Sequence, residues 1–264
     1  MSAMQWLAHG EHEVPDDTSW LSDRERDYAA GIRFRKRYDE FLTRRYTAKR
    51  AVAAVFDLAV RSEVLAAIEV RNRPSGAPYL EIQGEAAPAD LSLSDRAGWA
   101  VCLVGPVGSI RSGTLGIDLE VVEPRSERFI QDFLTPTEME WVRAHQPGED
   151  RDAAANLVWS AKEAALKVRQ VGLRHDTRTV EVQWWSDPEV DGWCRLQVSA
   201  TDGQRYRGWW RRDRQFVLTV AAVDDIEPPA LIDGNRGLEA AQPIHSWLGQ
   251  PERIVTSQLD VATE

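Results

Sequence analysis

Cysteine is scarce in this sequence: Cys102 and Cys194 are the only two among 264 residues, and each sits inside an apolar stretch. That rules out a disulfide framework and offers no thiolate spacing for zinc, and it fits a reducing compartment. The five histidines are scattered without ligand spacing. Long apolar runs are missing as well. No window approaches the roughly 18 residues of a membrane span, and the opening MSAMQWLAHGEHEV has neither the basic nor the apolar segment of a secretory signal. The expectation is a cytoplasmic protein that engages no membrane. A basic surplus is lacking too, since the net charge is −10, which speaks against nucleic-acid binding over the whole surface. There is no glycine-rich phosphate loop, GPVGS at 105–109 being too short to serve as one.

What is present begins with a core-forming composition, 43% hydrophobic and 28% charged, enough for one large domain or two smaller ones. Charge is unevenly spread. Over 33–50, Arg33, Arg35, Lys36, Arg37, Arg44, Arg45, Lys49 and Arg50 face only Asp39 and Glu40. Such a stretch is either a solvated helix face or a site for a phosphorylated ligand.

Shifting the chain by 113 places lays LSDRERDY (21–28) over LTPTEMEW (134–141) and YTAKRAVAAV (46–55) over WSAKEAALKV (159–168) without a gap. Identities are few, but both blocks keep one register, and the swaps Ser22/Thr135, Tyr28/Trp141 and Tyr46/Trp159 are like for like. An internal duplication is expected. Each copy would hold a strand, a short helix capped by Ser22 or Thr135, a long helix and a set of strands. The fold class is therefore α+β, with pseudo-symmetric halves at 1–112 and 113–225 and a partly loose extension at 226–264. Strands are predicted at 79–82, 99–104, 180–185, 193–200, 206–210 and 216–223. Trp184, Trp185, Trp193, Trp209 and Trp210 read as packing residues, with one ring of each adjacent pair turned outward.

The segment LGIDLEVVE (115–123) places two carboxylates in an apolar strand. Alternation puts Gly116, Asp118 and Glu120 on one face and Ile117, Leu119 and Val121 on the other. Like charges on one buried face call for a cation or a donor between them. In LVWSAKEAALK (157–167), helical periodicity gathers Leu157, Val158, Ala161, Ala164, Ala165 and Val168 on one side and Ser160, Glu163 and Lys167 on the other. Glu163 and Lys167 alone would pass for a surface i,i+4 pair. If the strand packs against this helix, Asp118, Glu120 and Glu163 form a hard-oxygen cluster suited to Mg²⁺. Lys167 then stands one turn away to neutralise phosphate charge. Arg50 occupies the place of Glu163 in the first copy, so one half would bind anion and the other metal.

GIDLE (116–120) and WSAKEAALK (159–167), with FLTPTE (133–138) between them, resemble the signature of the Sfp-type 4′-phosphopantetheinyl transferases, and RKRYDEFLTRRYTAKRAV (35–52) is similar to that family's basic helix. The likeness covers roughly 1–225. It implies two pseudo-symmetric α+β halves binding coenzyme A and Mg²⁺ in the cleft between them, with Asp118, Glu120 and Glu163 as metal-associated carboxylates. It further implies Glu163 as a candidate base, Lys167 beside the phosphates, Arg37 and Arg45 on coenzyme A, and a family acid at Glu138. Two departures concern the nucleotide. In LSLSDR (91–96) Asp95 stands where the family has a histidine that touches the 3′-phosphate; an aspartate would repel that group, so either Arg96 takes over the contact while Asp95 turns away, or affinity for the 3′-phosphate is reduced. Gly76-Ala77-Pro78 lacks the lysine of the family's Gly-Lys-Pro, leaving Arg73 as the nearest substitute. The implied reaction carries the phosphopantetheine arm to a serine of an apo acyl or peptidyl carrier protein. The chain is expected to act as a monomer, with acidic carriers docking near 33–50 or 169–178. The rival expectation is a non-catalytic module that binds carrier or coenzyme A on the same fold.

Overall fold

The structure is a computed structural model describing residues 4–106, 115–170 and 176–245. The chain opens with β1 (Gln5–Gly10), α1 (Asp23–Ala30), α2 (Arg35–Val55) and α3 (Ser62–Ala66). It continues through β2 (Ile68–Asn72), β3 (Pro78–Ile82), β4 (Glu85–Ala86), β5 (Ala89–Arg96) and β6 (Trp99–Pro106). Then come β7 (Leu115–Val121), α4 (Glu127–Phe133), α5 (Pro136–Ala144) and α6 (Glu149–Arg169). Last are β8 (Val180–Trp184), β9 (Cys194–Ala200), β10 (Arg205–Asp213), β11 (Phe216–Ala222) and β12 (Ala230–Leu231). The class is α+β, as predicted. The expected strands are all present, while β2, β4, β5 and β12 add to them. The proposed boundary at 112/113 lies outside the described residues.

Two sheets, ordered β12-β1-β6-β5 and β7-β11-β10-β9-β8, face each other across a shared core, and β2-β3-β4 forms a small third sheet. Period-2 alternation decides which side chain goes where. Trp6, Val101, Leu103, Ile117, Leu119 and Val220 fill the layer between the sheets, while Leu7, Cys102 and Val104 point outward under α2. On the far side, Ala161, Ala164, Ala165 and Val168 of α6 pack over the second sheet. The sheets abut at β5 and β7, where Ser92 Oγ accepts from Ile117 N at 3.0 Å and Ser94 Oγ donates to Asp118 Oδ1 at 2.9 Å. Trp193 and Trp209 are core residues and Trp185 is exposed, while Trp184 packs edge-on against Trp141.

The same internal wiring occurs in both halves. Ser22 and Thr135 cap α1 and α5, each completing a capping box with the glutamate three residues on, Glu25 or Glu138. Each glutamate pairs with a fully buried lysine of the following long helix, Glu25 with Lys49 at 2.6 Å and Glu138 with Lys162 at 2.7 Å. Each lysine also donates to backbone carbonyls, Lys49 to Leu65 and Ile68 and Lys162 to Phe133, Thr177 and Val180. A buried ammonium is tolerable only when so many acceptors replace its water. Lys49 is therefore no part of a surface cation patch, and Glu138 is occupied as a cap and ion-pair partner.

The periodicity of α6 suggested a polar face at Ser160, yet twelve of its 21 residues are buried. Ser160 is among them, hydrogen-bonded to Thr219 Oγ1 of β11 at 2.8 Å. The helix is sunk into the sheet because its alanines keep it thin. Beyond β11, the described part of the extension covers residues 226–245. It runs along β1, with Asn235 bridging the backbone N–H and carbonyl of Ala8 and Trp99 Nε1 donating to Gln242 O. Among the described residues, no helix is long and apolar enough to cross a membrane.

Candidate active site

Gly116 is where α6 comes closest to β7. A Cβ there would lie 1.9 Å from the carbonyl oxygen of Ala164, so only glycine lets the helix rest on the strand backbone. That contact brings Glu163 and Lys167 over the Asp118 face of β7. Lys167 Nζ donates to Ile117 O at 2.8 Å and to Asp118 Oδ1 at 2.7 Å, in place of a surface pair with Glu163. The same Oδ1 accepts from Ser94, while Oδ2 of Asp118 is buried and makes no hydrogen bond to a described residue. Glu163 Oε1 is in the same condition.

Glu120 is differently placed. Its Oε2 meets Arg125 Nη2 at 2.9 Å and Arg96 Nε at 3.2 Å, and its Oε1 accepts from Trp159 Nε1 at 2.9 Å. Trp159 is itself held edge-on between Phe129 and Phe133. Burial pushes the Glu163 carboxyl up to about 7, with the charge of Asp118 adding to the rise and Lys167 opposing it. Burial likewise raises Glu120 to about 7; Asp118 adds to this, and Arg96 and Arg125 pull the other way.

Two orphaned buried carboxylate oxygens, on Asp118 and Glu163, are what a hard divalent cation would satisfy. The donor chemistry at this spot fits Mg²⁺. Among the described residues, however, no group of three or more His, Cys, Asp or Glu side chains is gathered closely enough to hold a metal ion. Glu120 is turned to its arginines and stands apart from the pair that is free to ligate.

A cleft of about 710 Å³ opens beside this cluster, bounded by both halves and lined among others by Arg24, Arg44, Arg45, Arg71, Arg73 and Lys167. Arg45 stacks on Phe41, with its guanidinium carbon 4.9 Å from the ring centre. Arg71 and Arg73 share the ring of Tyr79 at 5.4 and 5.3 Å. Of the anion-binding residues expected from sequence, Arg45, Arg73 and Lys167 reach the cleft. Arg37, Arg50 and Arg96 are not among its lining residues. Arg37 is exposed on the first turn of α2. Arg50 donates to Tyr46 Oη at 2.8 Å and lies over that ring. Arg96 is paired with Glu120 and Glu123. Asp95 pairs with Arg44, which explains an aspartate at a cationic cleft. Arg24 and Arg71 were missed.

Residues 114–221 match the family model described as the 4′-phosphopantetheinyl transferase superfamily. That span carries Asp118, Glu120, Glu163 and Lys167. Among solved structures, a holo-(acyl-carrier-protein) synthase from Bacillus anthracis str. Ames, in complex with CoA (3′,5′-ADP), is similar at 25% identity. The match covers 39% of this chain and 92% of that one, with a TM-score of 0.33. No curated protein matches the chain.

Proposed function

We propose that the chain is an Sfp-type 4′-phosphopantetheinyl transferase that moves the arm of coenzyme A onto a serine of an apo acyl or peptidyl carrier protein, releasing 3′,5′-ADP. The observation that carries this is the pair of unsatisfied oxygens on Asp118 and Glu163, set beside Lys167 at one wall of a cationic cleft built by both halves. The superfamily match over those residues supports it.

Asp118 and Glu163 would hold Mg²⁺, with Glu120 joining if its arginines release it. The ion would supply charge neutralisation on the diphosphate. Arg45 and Arg73 bind and orient the phosphates of coenzyme A from the cleft wall. Glu163 accepts the serine proton as the new serine oxygen–phosphorus bond forms and the diphosphate linkage breaks. Lys167, anchored by Asp118 and Ile117 O, presents positive charge to the departing phosphate oxygen. Both halves of the cleft come from one chain, so a monomer suffices.

Intact mass after incubation of an apo carrier protein with coenzyme A and Mg²⁺ tests the proposal, the expected product having gained the phosphopantetheine arm. Asp118→Ala should abolish the gain with the fold intact, and unchanged labelling by that variant refutes the site. The departures at Asp95 and Ala77 favour a non-catalytic module instead, and the pairing of Asp95 with Arg44 weakens the first of these grounds.

A further inference from the structure

We infer that Glu25, locked in place by Lys49, is a positioning residue for Arg45 in the cleft, a task that its counterpart Glu138 in the other half does not perform. This rests on the function proposed above, which makes Arg45 a phosphate-binding group.

The two halves provide an internal comparison. Glu138 is fully occupied by structural partners: Oε2 accepts from Thr135 N at 2.7 Å and pairs with Lys162, and Oε1 accepts from Val182 N at 2.8 Å. Glu25 has the corresponding partners, with Ser22 N at 3.1 Å and Lys49 on Oε2. Its Oε1, however, stands 3.4 Å from Val70 N, a long bond, and 3.5 Å from Arg45 Nε. The oxygen is shared between a strand amide and a guanidinium. At the position 113 residues beyond Arg45 the second half has Val158, fully buried in the core, so there is no cation for Glu138 to orient.

Arg45 needs such a holder. Its side chain is only 13% exposed, and Nε makes no hydrogen bond to a described residue. The ring of Phe41 fixes one side of the guanidinium and the Glu25 carboxylate approaches another. Glu25 cannot swing away, because Lys49 is tied to two carbonyls as well as to it. Glu25, Phe41 and Arg45 all line the cleft. A guanidinium held between a ring and a fixed carboxylate meets an anion without first losing rotamer freedom.

Calorimetric titration of the full chain with coenzyme A tests this. Arg45→Val, which installs the other half's residue, should weaken binding. Glu25→Gln should weaken it by about fivefold, the scale expected of one partly buried ion pair, and should add nothing in the Arg45→Val background. Glu138→Gln should lower the thermal midpoint about as much as Glu25→Gln yet bind coenzyme A like the wild type. If Glu25→Gln does not fold, Glu25→Gln with Lys49→Met removes both buried charges together and gives the same reading. Normal binding by Glu25→Gln beside weak binding by Arg45→Val overturns the inference, as does equal weakening by Glu138→Gln. A wild type that binds coenzyme A but labels no carrier sinks the transfer reading and leaves this inference standing; one that binds no coenzyme A sinks both.

Discussion

Replacing Glu163 by glutamine should stabilise the metal-free protein while destroying transfer. The carboxyl is raised from 4.5 to about 7, first by burial and then by the charge of Asp118. Between those values the folded protein holds a proton that the unfolded chain has released. The Glu163 contribution to stability is therefore fully present below pH 4.5, is lost as pH rises through about 7, and levels off beyond it. About 2.5 units at 1.36 kcal/mol each set a ceiling of about 3 kcal/mol on that loss. Glu163→Gln keeps the shape and removes the ionisation, so it should exceed the wild type by about 2–3 kcal/mol at pH 8 and match it near pH 4.5. Urea denaturation in chelator across that range measures the gap. Adding Mg²⁺ at about 100 times its Kd should restore about 2.7 kcal/mol to the wild type and less to the variant. A gap that does not change with pH, or a variant less stable than the wild type at pH 8, would refute the reasoning.

Other substitutions probe the supports of the site. Gly116→Ala forces a methyl group into the Ala164 carbonyl and should cost about 3 kcal/mol or more, an overpacking penalty read by denaturation, with carrier labelling lost as α6 is displaced. His9 is held down to about 4 by burial and then by Arg50. The unfolded chain therefore binds the extra proton below pH 6.5, and stability should drop by about 3 kcal/mol as pH falls towards 4. His9→Leu should flatten that acid limb in a pH series of thermal melts. Asp95→Asn frees Arg44 from its partner and should tighten coenzyme A binding in titration calorimetry; weaker binding would show that the pair itself shapes the cleft.

Much of the site was legible before any fold was known, because its cues are local. Alternation alone assigned Ile117 and Leu119 to the core and Asp118 to the opposite face, and the caps at Ser22 and Thr135 follow from the few residues after them. Position 95 was harder. Read beside its neighbours, Asp95 looked hostile to phosphate, and Arg96 looked like its remedy. Across space Asp95 meets Arg44, 51 residues away, while Arg96 meets Glu120 and Glu123. Lys49 and Arg50, adjacent in sequence, end respectively in full burial on carbonyls and on the ring of Tyr46.

By itself the sequence determined most of the strands and helices, the helix caps and the placing of acids in an apolar strand, since these depend on neighbours a few positions apart. Only the tertiary structure decided which charges face the cleft and which neutralise one another. Coulomb attraction and desolvation act through distance in space, and residues remote in the chain set both.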